Sequence, residues 1–397
     1  MTHAVELRNG RIVTPTGVIP NGHVVVADDR IVRVGEAPPD PLPRTTAVDV
    51  DGRVVLPGLV DLHGDDVEQH RAPRAGARVD ARSAVLSADR ANVVAGVTTK
   101  FHAIAFENEG EDARSIDEAE TLVRAVDSAS DTLADNRVHV RADLSRESVD
   151  AVERVVAGDG VDVDLLSVMR HAPGEGQFDE AEFERHYAED RNLPPDAVER
   201  LSEARTASSP SDRDGLVARV ADLAAVADVP FASHDDETAA AVDRMADRGA
   251  AISEYPLTVE AAERAVDRGM TTAMGAPNLV RGESLWGNLS ARAAVRAGVV
   301  DALCSDYHPP SLLAAAFVET GESLSTRVNR VTRNPAEAAG FHDRGRLEVG
   351  ARADVIVVDP SPTPSVERVF VAGSEVLTAG PTRERRTETV PFRKSGS

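Results

Sequence analysis

The stretch Val54-Val55-Leu56-Pro57-Gly58-Leu59-Val60-Asp61-Leu62-His63-Gly64-Asp65-Asp66 carries strand-like apolar residues that end in an imidazole and two carboxylates. His63 and Asp65 stand two apart, a spacing that puts both side chains on one face of a strand. An imidazole and a carboxylate side by side suit a divalent cation such as zinc or manganese. The same residue types recur downstream. His171 closes "LLSVMRH", His234 closes "VPFASH" and Asp306 closes "DALCSD", so these three can complete the shell, while Asp143, closing "RVHVRAD", can bridge two ions. Taken singly, each has a plain alternative, because a lone His at a strand end commonly serves packing. Their recurrence at successive strand ends favours a site for one or two ions. Asp306 also has a catalytic reading: a carboxylate beside an activated water can accept its proton. The alternative there is a buried Asp paired with a ligand His.

Arginines stand near these positions. Arg74 and Arg78 lie in "APRAGARVD", Arg141 in "RVHVRAD" and Arg281 in "APNLVRGESLWGN". The guanidinium fork binds phosphate oxygens in pairs, so the set points to an anionic substrate. Two of the 44 basic residues are lysines, Lys100 and Lys394, which leaves 42 arginines and makes chance proximity easy. His3, His23, His186 and His342 read as surface or packing residues, with His70, His102 and His139 intermediate.

The elements that must position these groups follow from the pattern. "LVDLH", "GVTTKFHAI", "RVHVRADL", "DLLSVMRH", "VPFASHDD", "AAISEYP", "TTAMGAPN" and "DALCSDYH" read as strands, with Ala-, Glu- and Arg-rich helical stretches between several of them. Strand–helix alternation implies parallel βαβ units. The reading is an α/β chain whose core is a (β/α)8 TIM barrel, with function at the C-terminal ends of its strands; an open doubly wound sheet is the alternative. Short strands with Gly turns occupy both ends of the chain, so a small β-sandwich built from both termini is expected. The boundaries fall at 1–56, 57–335 and 336–397. The charged stretch from about 178 to 215 reads as a helical excursion near the barrel mouth.

A formal net charge of -23, with acidic residues spread along the chain, argues against a nucleic-acid partner. A salt-adapted, halophilic surface is the simplest reading. No apolar run reaches the length of a membrane span, and the first residues lack a secretory pattern. Cys304 is the only cysteine, which rules out an internal disulfide or a cysteine zinc cluster. A cytoplasmic protein is expected.

The motifs resemble the amidohydrolase superfamily through "VVLPGLVDLHGD", the terminal β-strands, an Asp ending the last barrel strand, and "NPAEAAGFHDRGRLEVGARADVIVVD". Within it, "LPGLVDLHGDD", "SVMRHAPGEGQF", "ASHDDET", "ISEYPLTVEAAE", "MGAPNLVRG" and "SDYHPPSLLAAAF" resemble the diphosphatases that act on alpha-D-ribose 1-methylphosphonate 5-triphosphate in the carbon–phosphorus lyase pathway. The resemblance implies release of diphosphate from a small phosphorylated sugar, leaving the 5-phosphate. It implies a metal shell of His63, Asp65, Asp143, His171, His234 and Asp306, with Asp306 as proton acceptor. Substrate contacts would come from Arg74, Arg78, Arg141, Asn278 and Arg281. His-x-Asp in the first strand departs from the superfamily's usual His-x-His and agrees with the diphosphatase group. Asp143 stands where a Glu is expected. Lys100 is out of place for a carboxylated, metal-bridging lysine. The alternative reading is a C–N hydrolase, a deacetylase or cyclic amidase, on the same metal site. No nucleic acid or membrane is expected as a partner; a homo-oligomer stays open.

Overall fold

The computed structural model describes residues 4–36, 45–74, 76–109, 114–158, 160–190 and 193–379. Eight parallel strands form the centre: Leu59–Gly64, Val97–Phe106, Asp135–Asp143, Leu165–Met169, Phe231–His234, Ile252–Glu254, Thr271–Gly275 and Ala302–Cys304. They hydrogen-bond in chain order, each to the next. This is the (β/α)8 arrangement, and the open doubly wound alternative falls away because the first and eighth strands also meet. They do so at a single bridge between Gly64 and Asp306, where Asp306 N donates to His63 O at 2.9 Å and Asp65 N to Asp306 O at 3.1 Å.

A polar hub reinforces that thin seam. Asp61 Oδ1 accepts from Ser305 N at 2.9 Å and from His63 N at 3.3 Å. The fully buried Lys100 ammonium reaches Asp61 at 2.6 Å, Asp66 at 2.7 Å and Ser305 Oγ at 3.0 Å. Burial alone would deprotonate it, but the two carboxylates outweigh burial and hold it charged. Lys100 is thus an internal strut. Asp66, whose Oδ2 also accepts from Asn92 at 2.8 Å, orients it. Residue 64 must be glycine, since a Cβ there would lie 1.8 Å from Lys100 Nζ.

The helices form because apolar residues recur every three to four positions. In Ile116–Asp127 the buried side chains are Ile116, Ala119, Leu122, Val123 and Val126. Ser115, Thr238, Thr258 and Ser290 cap their helices by accepting from the backbone N–H three residues on. Helix and strand side chains together make one large core around the barrel wall.

Strands from both ends of the chain, Ala4–Pro57 and Val355–Thr378, hydrogen-bond into one eight-stranded, largely antiparallel sheet. Alternation sorts its faces. Val54, Leu56, Ile356 and Val358 pack toward the barrel helices, whereas Val55, Val355, Val357 and Phe370 close a separate core with Leu7, Ile12 and Val24. Only Gly58 separates strand Val54–Pro57 from the first barrel strand.

After the fourth barrel strand the chain leaves the barrel in the short helix Glu180–Arg185, the π-helical turn His186–Asp190 and the helix Pro195–Thr206. Phe178, Phe183, Tyr187, Val198 and Leu201 give this excursion a core of its own. Among the described residues no helix is long and apolar enough to cross a membrane.

Candidate active site

The strand tips turn sharply at the barrel mouth. Asp235, Tyr255 and Asp306, each just past the end of a strand, adopt φ of 57°, 53° and 55°. Left-handed backbone at residues other than glycine costs roughly 1–3 kcal/mol each and collects at functional sites.

His63 Nδ1 lies 3.0 Å from Glu254 Oε1, with both side chains buried. Glu254 sits beside His234 through the register of the fifth and sixth strands. The His63 ring stands edge-on to His139 and to Tyr255, at 5.1 Å between centroids in each case. His139 is held from below, Nδ1 to Leu62 O at 3.0 Å and Nε2 to Ser167 Oγ at 2.8 Å, which makes it a supporting residue. Burial keeps His63 well below its ordinary range and brings His171 down to about 4 and His139 to about 3. These imidazoles are therefore neutral at physiological pH, the form that ligates metal.

Two sets of three side chains bring their ligating atoms within 4.8 Å of one another: His63, His234 and Glu254, and His171, His234 and Asp235. Asp65 Oδ1, His171 Nε2 and Glu254 Oε2 are buried without a hydrogen bond, and His234 Nδ1 faces Asp235 Oδ2 at 3.2 Å. Orphaned buried lone pairs are costly. Their convergence at one place suits a divalent cation, and the donor set of imidazole nitrogens and carboxylates suits zinc or manganese.

His63, Asp65, His171, His234 and Asp306 line one cavity of about 590 Å³, together with Arg78, Arg141, Asn278 and Arg281. Two residues of the expected set lie elsewhere. Asp143 lines a neighbouring cavity with Arg170 and Arg205. Arg141, two residues earlier on the same strand, lines the main cavity instead. Burial raises the Asp143 carboxyl to about 6. Arg74 is exposed on a turn that pairs it with Ala77, outside the cavity lining.

The remaining substrate candidates differ in what already holds them. Arg78 reaches Glu118 at 3.0 Å, a carboxylate that it shares with Arg71. Arg281 donates to Tyr307 Oη at 2.8 Å and to Glu283 O at 3.0 Å. The Asn278 amide donates to Leu289 O and accepts from Ala291 N, so it ties down the loop that follows it. Arg141 is buried, 4% exposed. Its Nη2 lies 3.4 Å from His234 Nε2; among the described residues it makes no direct ion pair, and its charge acts on the carboxylates of Asp235 and Asp306. Its Nε is likewise buried without a partner.

Burial pushes the Asp306 carboxyl up to about 7, with the nearby Asp65 charge adding to the effect. That suits a group exchanging protons near neutrality. The aromatic wall of the cavity comes from the excursion and from the loop after the seventh strand. His186, expected as a surface or packing residue, stacks on Phe178 at 5.0 Å, and Trp286 meets Phe178 edge-on at 5.2 Å.

Several residues went beyond the sequence reading. Glu254 and Asp235 stood at recognised strand ends, and the register that pairs Glu254 with His234 is the signal for the former. Glu107, Arg114 and Arg205 had no such signal. Glu107 is buried, accepting from Arg114 at 2.7 Å and from Arg205 at 2.8 Å. Arg114 also reaches Glu68 at 2.7 Å and Asp65 at 3.5 Å, so its charge is fully answered.

A sequence model of the amidohydrolase family matches residues 186–383. The alpha-D-ribose 1-methylphosphonate 5-triphosphate diphosphatase of Escherichia coli strain K12 is 35% identical over 326 residues, covering 78% of this chain and 84% of that protein. Among solved structures, N-isopropylammelide isopropylaminohydrolase from Burkholderia multivorans aligns with a TM-score of 0.66 at 19% identity, over 95% of this chain and 98% of that one. N-acetyl-D-glucosamine-6-phosphate deacetylase from Mycobacterium smegmatis aligns with a TM-score of 0.60 at 18% identity, over 94% and 100%. These two likenesses speak to the fold.

Proposed function

The chain belongs to the amidohydrolase family and is a hydrolase, and from that premise we propose that its barrel mouth, holding one or two divalent cations, zinc or manganese, releases diphosphate from alpha-D-ribose 1-methylphosphonate 5-triphosphate. Arg141 carries this reading. A buried guanidinium with no carboxylate in direct contact, set beside an imidazole in the cavity, suits an anion. A neutral amide or cyclic amide would give that guanidinium no direct counter-charge. The 35% identical diphosphatase supports the same substrate class.

His63, His171 and His234, with Asp65, Asp235, Glu254 and Asp306, are the residues that would hold the cation; Asp143, in the neighbouring cavity, is left out. A divalent cation there supplies Lewis acidity, making water acidic near neutral pH and offsetting charge on a phosphoryl oxygen. The chain supplies the rest. Arg141 holds a phosphoryl oxygen at the cavity floor, and Arg78 and Arg281 meet the outer phosphates. Water oxygen joins the phosphoryl group, Asp306 takes the water's proton, and the bridging P–O bond breaks with its electron pair leaving on diphosphate.

The test is diphosphate release from that substrate by metal-loaded protein. Release is expected to stop on chelation. Asp306→Asn is expected to lower kcat by roughly 10²–10⁴-fold. Arg141→Met is expected to lower kcat/KM by about 10–100-fold through loss of a charged hydrogen bond. No release from the triphosphate, with turnover of an amide or cyclic amide instead, would overturn the reading in favour of C–N hydrolysis.

A further inference from the structure

The helix Pro195–Thr206 belongs to the excursion and lines none of the metal cluster, yet it sends one side chain inward. Arg205 Nη1 donates to the backbone oxygen of His171 at 2.6 Å, and also to Tyr187 Oη. Its Nη2 donates to Glu107 Oε2 at 2.8 Å. That same Glu107 oxygen lies 3.8 Å from His171 Nδ1. All three side chains are buried: Arg205 and His171 are each 6% exposed and Glu107 1%. The opposite ring nitrogen, His171 Nε2, is buried without a hydrogen bond and lies 3.8 Å from Asp235 Oδ2, in the second set of candidate ligands.

We propose that Arg205 is a positioning residue, which through Glu107 and the His171 carbonyl holds His171 with Nε2 presented to the cation. The inference rests on the reading of the barrel mouth as a metal centre. A buried Glu alone would take up a proton. Glu107 instead accepts from two guanidinium groups, Arg114 at 2.7 Å and Arg205 at 2.8 Å, which hold it as a carboxylate. A carboxylate 3.8 Å from Nδ1 favours the ring proton on that nitrogen and leaves Nε2 for the cavity. The second donor of the same guanidinium fixes the backbone from which the ring hangs. A single planar fork thus sets both the tautomer and the position of the ring, which a lysine's point charge reproduces only in part. The site therefore depends on a helix outside the barrel.

The measurement is zinc affinity, by competition with a chelator, on wild type, Arg205→Met, Arg205→Lys and Glu107→Gln, alongside thermal unfolding of the metal-free forms. Loss of an outer partner that orients a metal-ligating His commonly costs 10–100-fold in affinity. That loss is expected for Arg205→Met and Glu107→Gln, with an intermediate loss for Arg205→Lys. A merely structural role would lower the unfolding temperature of the metal-free protein and leave zinc affinity within about twofold, which would overturn the proposal. If Arg205→Met does not fold, Arg205→Lys and Glu107→Gln decide on the same criterion. Wild type that takes up no zinc or manganese would overturn the metal-centre reading itself. Wild type that binds, with variants that bind equally well, would overturn only the role of Arg205.

Discussion

Asp143 and Arg141 stand two residues apart on one strand and meet opposite electrostatic conditions. Asp143 has its carboxyl raised from the ordinary 3.8 to about 6 by burial, partly countered by Arg205. The folded chain therefore holds that proton more tightly than the unfolded chain does. The stability this contributes is complete below about pH 4 and is lost as pH rises through 6. We expect Asp143→Asn to be nearly neutral at pH 4 and to stabilise the protein at pH 7.5 by on the order of 1–2 kcal/mol, allowing for partial exposure. Denaturant unfolding at the two pH values checks it. Zinc affinity should be unchanged in this variant; a collapse of affinity would restore Asp143 as a bridging ligand. Arg141, by contrast, is a buried charge with no carboxylate in direct contact, and an anion in the cavity would meet it.

At the scale of elements, the thin seam between the first and eighth strands makes a sharp expectation. Lys100→Met would leave Asp61 and Asp66 buried without their cation, and breaking a buried pair in this way costs about 3–5 kcal/mol. Denaturant unfolding would read that loss, and a change below 1 kcal/mol would mean that the hub is not what holds the seam. The strands themselves were legible in the sequence, because buried apolar runs ended abruptly in His or Asp and helical periods lay between several of them. His63, Asp65, His171, His234 and Asp306 were legible for that reason. Glu254 needed the register with His234, which no local pattern reveals. Asp143 shares its strand face with Arg141 but lines the neighbouring cavity, which spacing alone does not reveal. Arg205 was invisible: its partners Glu107 and His171 are 98 and 34 residues away, and among 42 arginines, the 44 basic residues less two lysines, nothing local marked it. The terminal strands were foreseen as a small sandwich and form one continuous sheet with two apolar faces.

At the scale of the whole molecule, the net charge of -23 makes self-repulsion a global term. Raising salt from 0.1 M to 1 M shortens the screening length from about 10 Å to about 3 Å. We expect the unfolding temperature to rise by several degrees over that range, followed by calorimetry; a midpoint that falls steadily with salt would sink the reading of a salt-adapted surface. The barrel seam has a further consequence. His63 and Asp65 lie on one side of it and Asp306 on the other, and a single bridge joins them. The cavity is thus assembled from the opening and closing turns of the barrel, about 240 residues apart in the chain, as with the 244 that separate Asp61 from Ser305. A ribosome must deliver nearly all of that span before the two halves can meet. A nascent chain lacking its eighth strand has neither Asp306 nor the partner that Asp61 grips, so the mouth acquires its final shape only after synthesis of the barrel is complete.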